Sequence, residues 1–354
     1  MIYNWQKPEW PDFTYSLENV EDLLFEYMSR AGQLEGYLKS LDREEQLETV
    51  IQTMVAEAIK SSEIEGEYLE REDVMSSVRN NLGLNVPNEV VSDQRATGMA
   101  ALLTNVRDTF LEPLTQSALF AWHSSLMIGA KNILVGSLRT HKEPMQVISG
   151  ALGKQKIHFE APPSDTLPNE MKQFIQWFNE SSPSGKYPIK KPIIRSAIAH
   201  LYFESIHPFE DGNGRLGRCI SEKALSQYVN RPILLSLSRG IETDKRAYYH
   251  HLENAQKSND ITEWISYFVK TVLIAQELTN QEVTFTLKKA RFFDRFNEQL
   301  NERQLCAVQR MFEEGPKGFE GGMNARKYIG ITKASKATAT RDLQDLVVKG
   351  IFIP

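Results

Sequence analysis

The chain has few cysteines, no long apolar run and no basic segment at its start. Only Cys219 and Cys306 are present among 354 residues, and their wide separation argues against a disulfide framework, a zinc site or a redox motif. We expect buried, reduced thiols in a cytoplasmic protein. No stretch approaches the roughly 20 apolar residues of a membrane span, and the opening MIYNWQKPEWPDF lacks the regions of a signal peptide.

Charge is unevenly distributed along the chain. The formal net charge is −5, yet residues 285–354 hold thirteen Lys and Arg against eight Asp and Glu. This asymmetry predicts a separate C-terminal domain at 285–354 with a charge suited to binding nucleic acid.

Helical periodicity dominates, so the predicted fold class is mainly α. One segment has the pattern of a β-hairpin, with strands MQVIS and KIHFE joined by GALGKQ. The apolar stripe from Leu47 to Ile59 follows an acidic start, DREE, that suits a helix N-terminus. Further helices are predicted at about 16–41, 93–110, 115–128, 168–180, 190–206, 214–228, 244–258 and 260–282.

The C-terminal segment has the element order of a winged helix-turn-helix. Two short helices are followed by a longer helix that Ser335 caps and by an apolar strand after Gly350. A recognition helix in this position would present a polar set to DNA: Lys336, Thr338, Thr340 and Arg341. Such a fold equally serves protein interaction or dimerisation, so both readings stay open.

One segment, SIHPFEDGNGRLGRC, concentrates chemistry between two helices. His207 stands where Pro208 breaks a helix, and its ordinary pKa suits proton abstraction. Asp211 is a hard oxygen ligand suited to Mg²⁺. The glycines beside Asn213 allow successive N–H groups to turn toward an anion at the start of the next helix. Two arginines at positions 215 and 218 share one face of that helix and can grip phosphate.

HPFEDGNGRLGR resembles the complete signature of the Fic family, His-Pro-Phe-x-Asp/Glu-Gly-Asn-Gly-Arg-x-x-Arg. The hairpin is similar to that family's target-binding flap, and the leader WQKPEWPDF resembles a large bacterial branch with a C-terminal winged helix. The resemblance implies an N-terminal helical region with an inhibitory helix at 1–110, a Fic catalytic core at 111–284 and a winged helix-turn-helix domain at 285–354.

The resemblance also implies roles for the motif residues. His207 would be the general base that deprotonates a Ser, Thr or Tyr hydroxyl of a target protein. Asp211 would bind the Mg²⁺ that accompanies ATP. The residues that would hold the nucleotide phosphates are Gly212, Asn213, Gly214, Arg215 and Arg218.

A second informative stretch is SSEIEGE, at the end of the helix that carries the apolar stripe. Glu65 continues the apolar face near a helix C-terminus, where a carboxylate is unfavourable unless a cation neutralises it. Alternatively, the helix frays there and Glu65 is solvated. Ser61-x-x-x-Glu65-Gly66 resembles the inhibitory motif of many Fic proteins, which implies that Glu65 pairs with Arg218 and that Ser61 seats the helix.

Two weaker signals complete the set of candidate residues. YYHHLENAQ resembles the helix that closes the family's adenine pocket, so Tyr248 and Tyr249 would flank the base, although aromatic residues at this spacing also suit a core. Val147 and Ile148 of the hairpin would take the target segment as an added strand.

The sequence is compatible with three functions. The first is an autoinhibited protein adenylyltransferase that uses Mg-ATP to modify a target protein or itself. The second is a DNA-binding regulator with a nucleotide-sensing Fic core. The third is a reversible enzyme in which Glu65 positions water to remove AMP. A homodimer is left open, and no membrane partner is expected.

Overall fold

A computed structural model describes residues 2–150 and 155–353, and helices form most of it, as predicted. The predicted hairpin is present as β1 Gln146–Ser149 and β2 Lys156–Glu160, which pair antiparallel; residues 151–154 of its connection lie outside the described residues. The helices before it are α1 Glu21–Lys39, α2 Arg43–Ile64, α3 Arg71–Asn81, α4 Gln94–Asp108 and α5 Gln116–Leu126. Those after it are α6 Leu167–Glu180, α7 Pro192–Ile206, α8 Asn213–Val229, α9 Leu237–Glu242, α10 Lys245–Ala255, α11 Thr262–Phe296, α12 Glu302–Phe312, α13 Ala325–Thr332 and α14 Lys336–Val348.

Helix α7 is buried along its whole length because its sequence, PIIRSAIAHLYFESI, is apolar on most sides. Its Phe203 packs against Phe174 of α6, with ring centroids 5.7 Å apart, while Ile198 belongs to a cluster with Trp264 of α11. Burial of each large apolar side chain stabilises the fold by about 1.5–3 kcal/mol. This packing fixes the end of α7 and therefore the position of the loop that follows.

The loop between α7 and α8 turns sharply because left-handed residues stand at both of its ends. His207 caps α7 with φ 49° and ψ 60°, and Gly212 precedes α8 with φ 81°. A β-carbon on Gly212 would also lie 3.0 Å from a methyl carbon of Leu126. Both the conformation and the space therefore require glycine at 212.

Helix α2 extends beyond the predicted stripe at both ends. Ile51, Val55 and Ala58 are buried as the periodicity predicts, whereas Leu47 is exposed. The next helix, α3, was not predicted, because it buries only two apolar residues, Val74 and Val78. The six-residue helix α9 was also missed.

The chain divides into two compact units, Met1–Ala31 with Val50–Thr279 and Gly32–Thr49 with Asn280–Pro354. In the second unit, α12, α13 and α14 enclose a small core that includes Tyr328 and Leu346. The hydroxyl of Tyr328 donates a 2.9 Å hydrogen bond to the buried carboxylate of Asp342, so a polar pair also ties α13 to α14.

Two expectations for the C-terminal region are wrong. The helix predicted to end near 282 continues to Phe296, since VTFTLKKARFFDRF contains no glycine or proline to interrupt it. The apolar end forms no strand, and none is present in the described residues from 280 to 353. Instead, the amides of Ile351 and Phe352 donate to the carbonyl of Leu346, so these residues close α14. The described part of this region thus has the three helices but not the strand of a wing.

The two cysteine side chains differ in their exposure. Cys219 is buried, as expected, but Cys306 is exposed. Within the described residues, every helix is too short or too polar to cross a bilayer.

Candidate active site

His207 lies at the C-terminal end of α7 and lines a cavity. The side chain is 14 % exposed and lines this cavity of about 360 Å³. Its backbone is fixed by Arg139, whose Nε donates a 2.9 Å hydrogen bond to the His207 carbonyl. Burial, reinforced by the charge of Arg139, lowers the pKa of His207 to about 4. The imidazole is therefore neutral at physiological pH and able to accept a proton.

Two side chains hold the motif loop in shape. Phe209 is fully buried and stacks on His123, with ring centroids 4.1 Å apart. Asn213 binds the backbone of the same residue twice, because its Oδ1 accepts from the Phe209 N–H at 3.0 Å and its Nδ2 donates to the Phe209 carbonyl at 2.8 Å. The Asn213 side chain thus braces the loop and leaves only its backbone for an anion.

The N-terminal turn of α8 faces the same cavity through Gly214. The first bond within the helix runs from the Leu216 N–H to the Gly212 carbonyl, so the amides of the three preceding residues have no acceptor within the helix. Amides in this position, at the positive end of a helix dipole, attract anions. Asp211 stands beside this turn with its side chain 55 % exposed.

Residues 61–67 close α2 and form the α2 segment. Two of them, Ser61 and Glu65, bind the guanidinium group of Arg218. Nη1 of the arginine donates to Glu65 Oε1 at 2.8 Å, Nε donates to Ser61 Oγ at 2.8 Å, and Nη2 donates to the Ser61 carbonyl at 2.7 Å. Burial opposes the charge on Arg218, but the nearby Glu65 carboxylate outweighs burial, so the pKa of Arg218 is raised. A β-carbon on Gly214 would lie only 2.1 Å from Glu65 Oε1. Glu65 therefore covers the first turn of α8 as well as the arginine.

A second carboxylate of the same segment, Glu67, holds the other motif arginine. Its Oε2 accepts a 2.7 Å hydrogen bond from Nη1 of Arg215, whose side chain is only 4 % exposed. Arg215 also lies 3.6 Å from Asp211. Both arginines predicted to bind phosphate are thus engaged by acids two residues apart in sequence.

The cavity is bounded by the motif, by α10 and by the hairpin. The predicted site residues that line it are Glu65, Val147, Ile148, His207, Gly214, Tyr248 and Tyr249. The predicted residues outside its lining are Ser61, Asp211, Gly212, Asn213, Arg215 and Arg218. Glu65, which binds Arg218, lines the cavity, whereas Glu67, which binds Arg215, does not.

The tyrosines of α10 are anchored rather than free. Tyr248 is buried, and its hydroxyl lies 2.8 Å from Nε2 of His200. Tyr249 donates to the carbonyl of Ile64 at 3.1 Å, which links α10 to the α2 segment. The ring centroids of the two tyrosines lie 5.1 Å apart, and both rings reach the cavity.

The hairpin is tied to α10 through His158 of β2. Nδ1 of His158 lies 2.7 Å from Oε2 of Glu253, and its Nε2 lies 2.6 Å from the Ser149 hydroxyl. Burial alone would raise the pKa of Glu253, but the hydrogen bonds from Lys257 and His158 prevail and lower it to about 2. This network closes one side of the cavity.

One match to a known family covers the motif loop, the helix before it and most of the helix after it. Residues 113–225 match the Fic/DOC family. The chain contains a Fic/DOC family domain. A second match covers residues 3–84, to a domain of unknown function (DUF4172), so the segment that carries Glu65 and Glu67 lies within a recognised domain next to the Fic domain.

Relatives of the Fic domain carry the names of protein adenylyltransferases. A probable protein adenylyltransferase of Aquifex aeolicus is 27% identical over 186 residues, which are 50% of this chain and 53% of the relative. The protein adenylyltransferase Fic of Drosophila ananassae is 28% identical over 97 residues, 27% of this chain and 18% of the relative. The chain therefore spans about half the length of one relative and less than a fifth of the other.

Solved Fic proteins share the fold. A Fic family protein from Desulfovibrio desulfuricans superposes with a TM-score of 0.55 at 19% identity, covering 96% of this chain and 91% of the other. Fic-1 from C. elegans gives 0.54 at 21% identity, covering 77% and 74%. At 19% and 21% identity, this likeness shows a shared fold and nothing more specific.

Several residues of the candidate site could not be predicted from the sequence. Glu67 was missed because its partner, Arg215, is 148 residues away in sequence. Its place two residues after Glu65 marks a second acid on the segment but does not indicate that partner. Arg139 lies outside the quoted motifs, and Glu253 lies within YYHHLENAQ without an assigned role, because their contacts with the His207 carbonyl and with His158 join residues distant in sequence. Glu204 was missed because it lies in α7, whose sequence is mostly apolar and typical of a core helix.

Proposed function

We propose that this protein is an autoinhibited adenylyltransferase that transfers AMP from Mg-ATP to a hydroxyl of a target protein or of itself. The observation that carries the proposal is the single cavity faced by the neutral imidazole of His207 and by the first turn of α8. A proton acceptor and an anion-binding helix end are the two elements that attack of a hydroxyl on a phosphate requires. The names of the relatives support the same reaction.

In the proposed reaction, Nε2 of His207 takes the proton of the attacking hydroxyl. An oxygen–phosphorus bond forms at the α-phosphate, the bond to the β-phosphate breaks, and pyrophosphate leaves. The amides that open α8 stabilise charge on the α-phosphate, and Arg215 and Arg218 hold the outer phosphates once they are free. Positioning and electrostatics supply most of the acceleration in such transfers.

Asp211 fits the role of a magnesium ligand. Its carboxylate is exposed and lies 3.6 Å from Arg215, and Mg²⁺ commonly takes one or two carboxylates while phosphates and water fill its remaining positions. No cluster of three His, Cys, Asp or Glu side chains suited to a metal exists among the described residues. The ion would neutralise phosphate charge there.

Autoinhibition is proposed from the occupied arginines. Arg218 is bound by Glu65 and Ser61, and Arg215 by Glu67, so a triphosphate has to displace two carboxylates before both arginines can hold it. ATP that binds without them lacks the contacts that align its α-phosphate. Release of the α2 segment is therefore the proposed activating step.

Label transfer tests the proposal. The protein is incubated with Mg²⁺ and ATP labelled at the α-phosphate, and bound label and released pyrophosphate are measured together with mass spectrometry of the product. Glu65→Gly should increase self-modification at least tenfold, and His207→Ala in that background should abolish it. Equal labelling of Glu65→Gly and wild type contradicts autoinhibition, and equal labelling with and without His207 contradicts the assignment of the base.

A DNA-binding role of the second unit is a further candidate. Lys336, Thr340 and Arg341 are exposed on the N-terminal half of α14, whose first turn Ser335 caps through a 3.2 Å bond to the Thr338 amide. Exposed basic and hydroxyl side chains on the second helix of a helix-turn-helix are suited to a DNA groove. Salt-dependent binding of duplex DNA that Lys336→Ala with Arg341→Ala removes would support this role; salt-independent or unaltered binding would exclude this helix.

A further inference from the structure

Two buried polar residues of α7 and the half-buried histidine that caps this helix form a polar ladder. His200 and Glu204 stand four residues apart on one side of α7, and His207 follows three residues later as the C-cap of the helix. Within the described residues, each has one buried atom without a hydrogen-bond partner: His200 Nδ1, Glu204 Oε1 and His207 Nδ1. Unpartnered buried polar atoms are costly, and three in one row call for a functional explanation.

The middle residue of the ladder reaches the catalytic histidine. Oε2 of Glu204 lies 3.8 Å from Nδ1 of His207, with the Glu204 side chain only 6 % exposed. Both residues line the cavity. Gly217 of α8 makes room for the carboxylate, because a β-carbon there would lie 2.6 Å from Glu204 Oε1. Catalytic hydrogen bonds are often long in the free enzyme and shorten when substrate binds.

We infer that Glu204 is a positioning residue that receives the Nδ1–H of His207, keeps Nε2 free for the target hydroxyl and stabilises the imidazolium. The inference rests on the proposed function, since it specifies how His207 acts as a base. When Nε2 takes the proton, the ring carries two protons and a positive charge. The carboxylate at Nδ1 balances that charge, as an acid partner does in other histidine-dependent enzymes.

The surroundings explain why the histidine requires such a partner. Burial and Arg139 lower the pKa of His207 to about 4, which makes it a weak proton acceptor at neutral pH. Burial and the charge of Glu65 raise the pKa of Glu204 to about 8, against the opposing effect of Arg218. Glu204 is therefore neutral below about pH 8 and becomes a carboxylate above it. Ionised Glu204 strengthens the base, so the transfer rate should rise as pH passes through about 8.

Other titratable groups also act on this pair. The charged or ionisable side chains that influence His207 or Glu204 are Arg139, Glu65, Asp211 and Arg218. Tyr248 and His200 border the same ladder. Because Glu65 raises the pKa of Glu204, its removal should shift the rise in rate to lower pH, which separates this titration from that of the target hydroxyl.

The first test reads the histidine itself, by NMR of protein labelled with ¹⁵N-histidine, with His207→Ala used to assign the signal. Above pH 8, where Glu204 is a carboxylate, wild type should show the Nδ1–H form of neutral His207. Glu204→Gln retains an acceptor and should retain this form, whereas Glu204→Leu should lose it. A wild-type ring protonated on Nε2, or a form that Glu204→Leu does not change, overturns the inference. This readout needs no AMP transfer, so it stands even if the proposed function fails.

The second test is kinetic and uses the Glu65→Gly background. Above pH 8, where Glu204 is a carboxylate, Glu204→Gln should lower kcat about tenfold and leave KM for ATP unchanged, and it should abolish the rise in rate with pH. Glu210→Gln is the matched control, because that carboxylate accepts from the Leu134 amide at 2.9 Å and lies off the ladder. An unchanged pH profile overturns the inference. A raised KM with kcat intact also overturns it, because Glu204 would then be a nucleotide ligand.

Discussion

The substitution Glu65→Gln isolates the charge that holds Arg218. Glutamine keeps the size of the side chain but removes the negative charge from the 2.8 Å bond. A hydrogen bond between charged groups contributes about 1.5–3 kcal/mol, and the lower value applies because the Glu65 side chain is 29 % exposed. A nucleotide that no longer competes with this bond should bind about tenfold more tightly, since about 1.4 kcal/mol is one factor of ten.

The free protein should lose stability by a comparable amount. Arg218 is fully buried and keeps its two bonds to Ser61, so its loss of one partner should cost about 1–2 kcal/mol rather than the 3–5 of a fully broken buried pair. In a unit of this size that corresponds to a fall in Tm of roughly 2–8 °C. Saturating nucleotide should restore Tm more in the variant than in wild type.

Titration calorimetry with Mg²⁺ and a non-hydrolysable ATP analogue measures the affinity, and differential scanning fluorimetry measures Tm. Glu63→Gln is the matched control, because Glu63 lies two residues before Glu65 but pairs with Lys60. Equal nucleotide affinity of wild type, Glu63→Gln and Glu65→Gln would refute the competition between Glu65 and the triphosphate.

Three further outcomes are expected. Glu67→Gln should also tighten nucleotide binding, by a smaller factor of roughly threefold, because Arg215 keeps a second acidic neighbour; calorimetry with an unchanged Kd would exclude the second ion pair from inhibition. Gly214→Ala should lower Tm in wild type, since its β-carbon would lie 2.1 Å from Glu65 Oε1, and lower it less when Glu65→Gly is also present; equal losses would contradict this contact. The pKa of Glu253 is about 2, so its contribution to stability is complete above about pH 4.5 and is lost as pH falls toward 2; Glu253→Gln should flatten this part of the curve of Tm against pH, and an unaltered curve would contradict it.

The parts of the site that could be predicted are those in which neighbouring residues in sequence act together. The motif loop depends on a helix end, a proline, glycines and the next helix, all within a dozen residues. Glu65 and Arg218 are 153 residues apart, and their pairing was expected only from family resemblance. The residues alone indicated that Glu65 needs a cation without identifying which one.

The missed features depend on partners that the sequence does not reveal. Glu67 and Arg215 are 148 residues apart, and no local pattern joins them. Glu204 sits in a helix whose apolar residues conceal the polar ladder, although the spacing of His200, Glu204 and His207 was visible. The final apolar residues read as a strand, but a strand requires a neighbour for its hydrogen bonds. Here the carbonyls at the end of α14 satisfy them instead.

A crystal structure of Glu65→Gly with Mg²⁺ and a non-hydrolysable ATP analogue tests the central claim most directly. The account predicts that the α-phosphate accepts hydrogen bonds from the amides of residues 213–215, that Arg218 contacts the γ-phosphate and that Nε2 of His207 faces the α-phosphorus. A triphosphate bound away from the start of α8, or a His207 ring turned from it, would contradict the proposed chemistry.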